Sequence, residues 1–96
     1  MGIYLVERYV PGLTEAGHRT HCARALQVTT AMSPNGVAVT FLGSTFIPDE
    51  EAVLCLFEGR SAEDVVEANR RVGLHVDRIA RAVPVRPSDL RRRQAR

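Results

Sequence analysis

Five breaks cut this 96-residue chain into six short segments, and their order is the strongest constraint on its fold. The breaks are Pro11-Gly12, the run SPNG at 33–36, the turn IPDEE at 47–51, the step into Ser61, and Gly73. Each joins residues that favour turns or helix ends to a neighbouring apolar run. IYLVERYV (3–10) is rich in β-branched and aromatic residues and reads as a strand. Thr14 can cap a helix that carries Glu15 in its first turn and runs to about Met32. VAVTFLGSTF (37–46) is a second strand, Pro48-Asp49 suits a hairpin corner, and AVLCLFE (52–58) is a third strand. Ser61-Ala62-Glu63-Asp64 resembles a capping box with Asp in place of Glu, and opens a helix that Gly73 ends as a left-handed cap. IARAVPV (79–85) is a fourth strand, which Pro84 places at a sheet edge or ends.

Strand, helix, strand, strand, helix, strand is the split βαβ order of an α+β, ferredoxin-like fold: a four-stranded antiparallel sheet with two helices on one face. Residues 1–85 are expected to form that domain, and residues 86–96 a basic C-terminal tail. In the first strand Ile3, Leu5 and Tyr9 take one side, while Tyr4, Val6 and Val10 take the other. Helices cover only one face, so the second is expected to pack on another copy. The predicted assembly is a homodimer of the dimeric α+β barrel type.

Composition narrows the function classes. An apolar share of 45% and a charged share of 25% belong to a globular chain, and no apolar run approaches the roughly 20 residues that span a bilayer. MGIYLVERYV lacks a basic leader region and a small-residue cleavage site, so a cytoplasmic protein with no membrane partner is expected. All 13 basic residues are Arg; five fall in the last eleven residues, which leaves a net charge of −2 on the first 85. Arginine without interleaved aromatics or a groove-reading element makes nucleic acid an unfavoured partner. Cys22 and Cys55 are too few for a disulfide framework or a four-cysteine zinc module and read as free, packed thiols.

Helix phase gathers the polar candidates. At about 100° per residue, His18, His21, Cys22 and Thr29 share an arc with Ala25, Leu26, Val28 and Met32 of the first helix. Asn69 lies amid Ala62, Val65, Val66, Ala68 and Val72 on the inner arc of the second. Both sets point to the layer between helices and sheet, where a small-molecule pocket can open. Ser44 lies in the second strand, Glu58 ends the third, and alternation sends Glu7 and Arg8 to opposite faces of the first. His75, just past Gly73, reads as a surface loop residue.

Two chemistries fit these residues. His18 and His21, three apart on a helix, can meet one divalent ion with Cys22 or Glu58 as a further ligand, a donor set that suits nickel, zinc or copper. Alternatively His18 or His21 serves as acid or base in a cofactor-independent enzyme, with Asn69, Arg8, Ser44 or Glu7 holding the substrate.

YLVER, FLGSTFIPDEEAVLCLFEG and SAEDVVEANRRVGLHVDRI resemble a family of small bacterial proteins, long catalogued as a domain of unknown function, that includes nickel-binding members. The resemblance covers about residues 3–85, and its most specific element is Cys55-x-x-Glu58 followed by a capped helix, Gly73 and Arg78-Ile79. It implies a ferredoxin-like dimer. It also implies that His21 matches a helix histidine of the nickel-binding branch and that Glu58 matches a family position, whereas the Glu7-Arg8 region and Asn69 stand where that branch has histidines. In architecture alone the chain is also similar to dimeric barrel monooxygenases, cyclases and isomerases.

Overall fold

The computed structural model describes residues 1–94. Its strands are β1 (Gly2–Tyr9), β2 (Val39–Ile47), β3 (Ala52–Gly59) and β4 (Arg78–Ala82); its helices are α1 (Glu15–Met32), α2 (Ala62–Val72) and α3 (Pro87–Gln94). The four strands form one antiparallel sheet in the order β2-β3-β1-β4, which is the ferredoxin-like arrangement. Both expected N-caps are in place: Thr14 accepts from the Gly17 N–H and Ser61 from the Asp64 N–H. Gly73 closes α2 at φ 87°, a conformation that costs a residue with a Cβ strain.

The core lies between the helices and one sheet face. Val6 of β1, Val39 of β2, Val53, Cys55 and Phe57 of β3, Met32 of α1, and Val65 and Ala68 of α2 form one buried cluster. Ile3, Leu5, Leu54 and Leu56 lie on the opposite face and are half-buried.

Several boundaries depart from expectation. β4 stops at Ala82, short of Pro84, and the hairpin corner is a short 3-10 turn, Pro48–Glu50, followed by Glu51 at φ 52°. Leu26 and Val66, placed on the inner arcs by phase, are exposed: they sit at the arc edges, beyond the reach of the sheet. Within the basic tail expected over 86–96, Pro87 starts α3, a helix the sequence reading did not assign, and the Asp89 carboxylate accepts from the Arg86 N–H, tying down its first turn. Residues 95 and 96 of that tail lie outside the described residues.

Candidate functional site

A β-bulge decides which side chains meet. Pairing of β2 with β3 shifts between Phe41 and Gly43, so Phe41 faces Phe57 but Ser44, not Gly43, faces Cys55. The extra residue reverses the alternation and turns Ser44 and Phe46 toward the helices. Gly43 adopts φ 146°, which glycine reaches without strain.

Ser44 therefore meets the first helix. Its Oγ lies 2.8 Å from His18 Nε2 and 3.1 Å from Cys55 Sγ. One turn along α1, Cys22 Sγ lies 3.4 Å from the same ring nitrogen, as the i, i+4 spacing allows. The His18 ring also packs on Phe46, with centroids 5.5 Å apart. Burial pushes the imidazole of His18 below the ordinary histidine range, and the positive charges of His21, Arg19 and Arg8 add to the effect. Neutral imidazole, with a lone pair on one nitrogen, is thereby favoured. Burial pushes the Cys22 thiol up, partly opposed by the nearby Ser44 hydroxyl.

Behind this group sits Arg8, only 1% exposed. Its guanidinium donates to Asn69 Oδ1 at 2.9 Å, to the His75 carbonyl at 2.9 Å and to Cys55 Sγ at 3.6 Å. The Asn69 amide in turn donates to the Val65 carbonyl at 2.9 Å, so this buried asparagine has partners for both ends. Arg8 Nε has none, and no carboxylate stands among the partners of this buried cation.

Arg8, His18, His21, Cys22, Ser44 and Cys55 line one cavity of ≈ 10 Å³, together with apolar neighbours. A space of that size holds about one water molecule or one ion, far below the roughly 300 Å³ of a small-molecule pocket. An open groove of ≈ 640 Å³ between α1 and β2 leads to His18, Cys22 and Ser44 from solvent.

The predicted site residues thus separate into two groups. His18, His21, Ser44, Arg8 and Asn69 lie in the helix-sheet layer, with His21 half-buried on the cavity wall. Glu7 faces the other side of β1, where it accepts from the Tyr9 hydroxyl at 2.8 Å and pairs with Arg78 at 3.6 Å. Glu58 also lies on the outer face, in a hollow with Ile3, Leu42, Leu56, Pro84 and Arg86. The sheet stands between Glu58 and the two histidines, so one ion cannot be shared by all three within a chain. His75 is exposed, as its loop position suggests, and its ring lies 3.0 Å from Asp77 Oδ2. Cys22 and Cys55 are free thiols, and both touch polar partners; sequence reading made Cys55 packing alone and Cys22 either packing or a further ligand. The signal for Cys22 was its i, i+4 spacing from His18; Cys55 had none, because only the bulge brings Ser44 to it.

Among the described residues, no three His, Cys, Asp or Glu side chains stand together as a ready metal cage. His18 and Cys22 do suit a shared ion. Bonds of about 2.1 Å to nitrogen and about 2.3 Å to sulfur place two such donors about 3.1 Å apart at a right angle and about 3.6 Å apart at a tetrahedral one. The observed 3.4 Å falls between these limits.

Residues 4–81 match the family model described as nickel responsive protein SCO4226-like. The crystal structure of SCO4226 from Streptomyces coelicolor A3(2) is similar, with 25% sequence identity, a TM-score of 0.72, and coverage of 88% of this chain and 98% of that one. No curated protein matches the chain. The family model spans most of the chain, including most of β1, both layer helices and Cys55-x-x-Glu58, and the chain belongs to the SCO4226-like family of nickel responsive proteins.

Proposed function

We propose that this protein binds a divalent ion of the nickel class between His18 and Cys22, at the inner end of the groove between α1 and β2. The observation that carries the proposal is the 3.4 Å separation of His18 Nε2 and Cys22 Sγ beside a space the size of an ion. Imidazole and thiolate are donors for nickel, zinc and copper, and not for the hard ions magnesium and calcium. The lowered proton affinity of His18 suits a ligand, since a metal competes there with little protonation at neutral pH. His21 stands on the same helix face as a further donor. The nickel responsive family description is consistent with this reading. The enzyme alternative receives less support: Arg8 and Asn69, its candidates for holding a substrate, are buried and engaged with each other, and neither lines the open groove that reaches His18.

The same reading makes the protein a cytoplasmic homodimer. Two free thiols suit a reducing compartment. Ile3, Leu5, Leu54 and Leu56 form an apolar strip on the uncovered sheet face, and a second copy would bury it.

Isothermal titration with nickel tests the metal site. Binding by the wild type, weakened on the order of 10–100-fold or more in His18→Ala, is the expected result. No heat above background with wild type, or full affinity in His18→Ala, would contradict it.

A further inference from the structure

Arg8 carries a full positive charge into the core, where it is 1% exposed, and its partners are one carbonyl, one amide oxygen and one sulfur. None of the three is a carboxylate, and Nε has no partner at all. Buried charges are ordinarily paired and buried N–H groups ordinarily hydrogen-bonded, so Arg8 is short of both a counter-charge and an acceptor. The same residue lines the enclosed cavity of ≈ 10 Å³, with His18, His21, Cys22, Ser44 and Cys55. We propose that this cavity is a site for a monovalent anion of chloride size, which balances the charge of Arg8 and accepts from its free N–H. The proposal concerns the metal-free protein and does not rest on the metal reading above.

Three observations support an anion there. First, the lining is made of donors. A guanidinium, two imidazoles, a hydroxyl and two thiols all have hydrogen to offer, and no Asp or Glu is among the residues that line the cavity. Second, the local potential is positive. Besides burial, the charges of His21, Arg19 and Arg8 hold the imidazole of His18 below the ordinary histidine range, and a field that repels a proton attracts an anion.

Third, size and access agree. A space of this volume takes about one water-sized particle, which admits a halide and excludes phosphate, sulfate or an organic acid. His18, Cys22 and Ser44 border both the cavity and the open groove of ≈ 640 Å³, so the way in from solvent is short. A water molecule would fit equally well and could accept from Nε, but it would leave the charge of Arg8 unbalanced. An anion meets both needs.

Thermal unfolding of the full chain, freed of metal by a chelator, tests the proposal. Chloride is compared with gluconate, an anion too large for the cavity, as potassium salts at equal ionic strength. Chloride is expected to raise the Tm of wild type by about 4 °C or more, the rise growing with concentration as mass action requires. The effect is expected to vanish in Arg8→Gln, which removes the buried charge, and to persist in Arg81→Gln, which removes an exposed charge of β4. Anomalous diffraction from bromide in wild-type crystals locates the ion, with the peak expected in the cavity against Arg8. Equal Tm in chloride and gluconate would mean that water or a Cys55 thiolate fills the role, and overturns the proposal. A chloride effect that persists in folded Arg8→Gln overturns it too, as does a bromide peak without the effect in solution, which is binding at crystal concentration only. If Arg8→Gln does not fold, the bromide map decides, and a cavity without a peak overturns the proposal. Whether nickel binds alters none of these outcomes, so the two readings fail separately.

Discussion

Arg8 shows how far single residues can be read. A charged residue in a strand is expected at the surface, but alternation alone sends Arg8 to the helix-facing side, beside Val6 and Tyr4. What makes its burial tolerable is Asn69, whose inward phase on α2 was legible from the 3.6-residue period. The bond between them joins two residues 61 apart in sequence, and no local pattern encodes such a meeting. Asn69→Ala would leave a guanidinium donor without its acceptor in the core. Loss of about 2–3 kcal/mol is expected, read as a lowered urea midpoint at unchanged slope. His18 carries a pH dependence of its own. Its proton affinity is lower folded than unfolded, so the unfolded chain binds more protons as pH falls below the ordinary histidine value of 6.5. Stability of the metal-free protein should therefore hold above that value and decline below it, until the depressed folded value is reached. Denaturant midpoints from about pH 7.5 to about pH 5 should fall less steeply in His18→Gln than in wild type.

At the scale of elements, the strands, the two layer helices and their caps follow from turn residues and apolar periodicity. Thr14, Ser61 and Gly73 act as their chemistry requires. The bulge in β2 was not legible in the same way. One glycine in a strand admits a bulge without demanding it, and the choice depends on how β2 fits β3 and the helix above. Its consequence is large for the site, because period-two alternation carried through Phe41 would turn Ser44 away from Cys55. A Cβ at Gly43 would meet no atom within 4 Å, so the cost of replacing it is conformational. Gly43→Val is expected to lose about 1–3 kcal/mol of stability. In the folded fraction Ser44 should turn outward, seen as loss of its contact with His18 in the imidazole NMR signals. α3 escaped prediction because its polar sequence has little apolar periodicity, and its exposed Leu90 gives no core signal.

The whole molecule places its two sheet faces in different roles. One is covered by α1 and α2 and holds the polar group around Ser44; the other presents Ile3, Leu5, Leu54 and Leu56, with Glu7, Arg78 and Glu58 around them. Sequence alternation foretold both faces, but it put Glu58 in reach of the histidines only by leaving the sheet out of account. If a second copy covers the outer face, Leu56→Asp should shift the molecular mass in light scattering from dimer to monomer while retaining the wild-type circular dichroism. A wild type that is already monomeric at micromolar concentration would rule the dimer out. The metal reading concerns the covered face alone, and X-ray absorption at the nickel edge, on protein loaded with one equivalent, examines it most directly. Sulfur and imidazole together in the first coordination shell, with the sulfur reduced in Cys22→Ser, is the predicted result. A shell of oxygen or nitrogen donors without sulfur, or failure of the wild type to retain nickel, would contradict it.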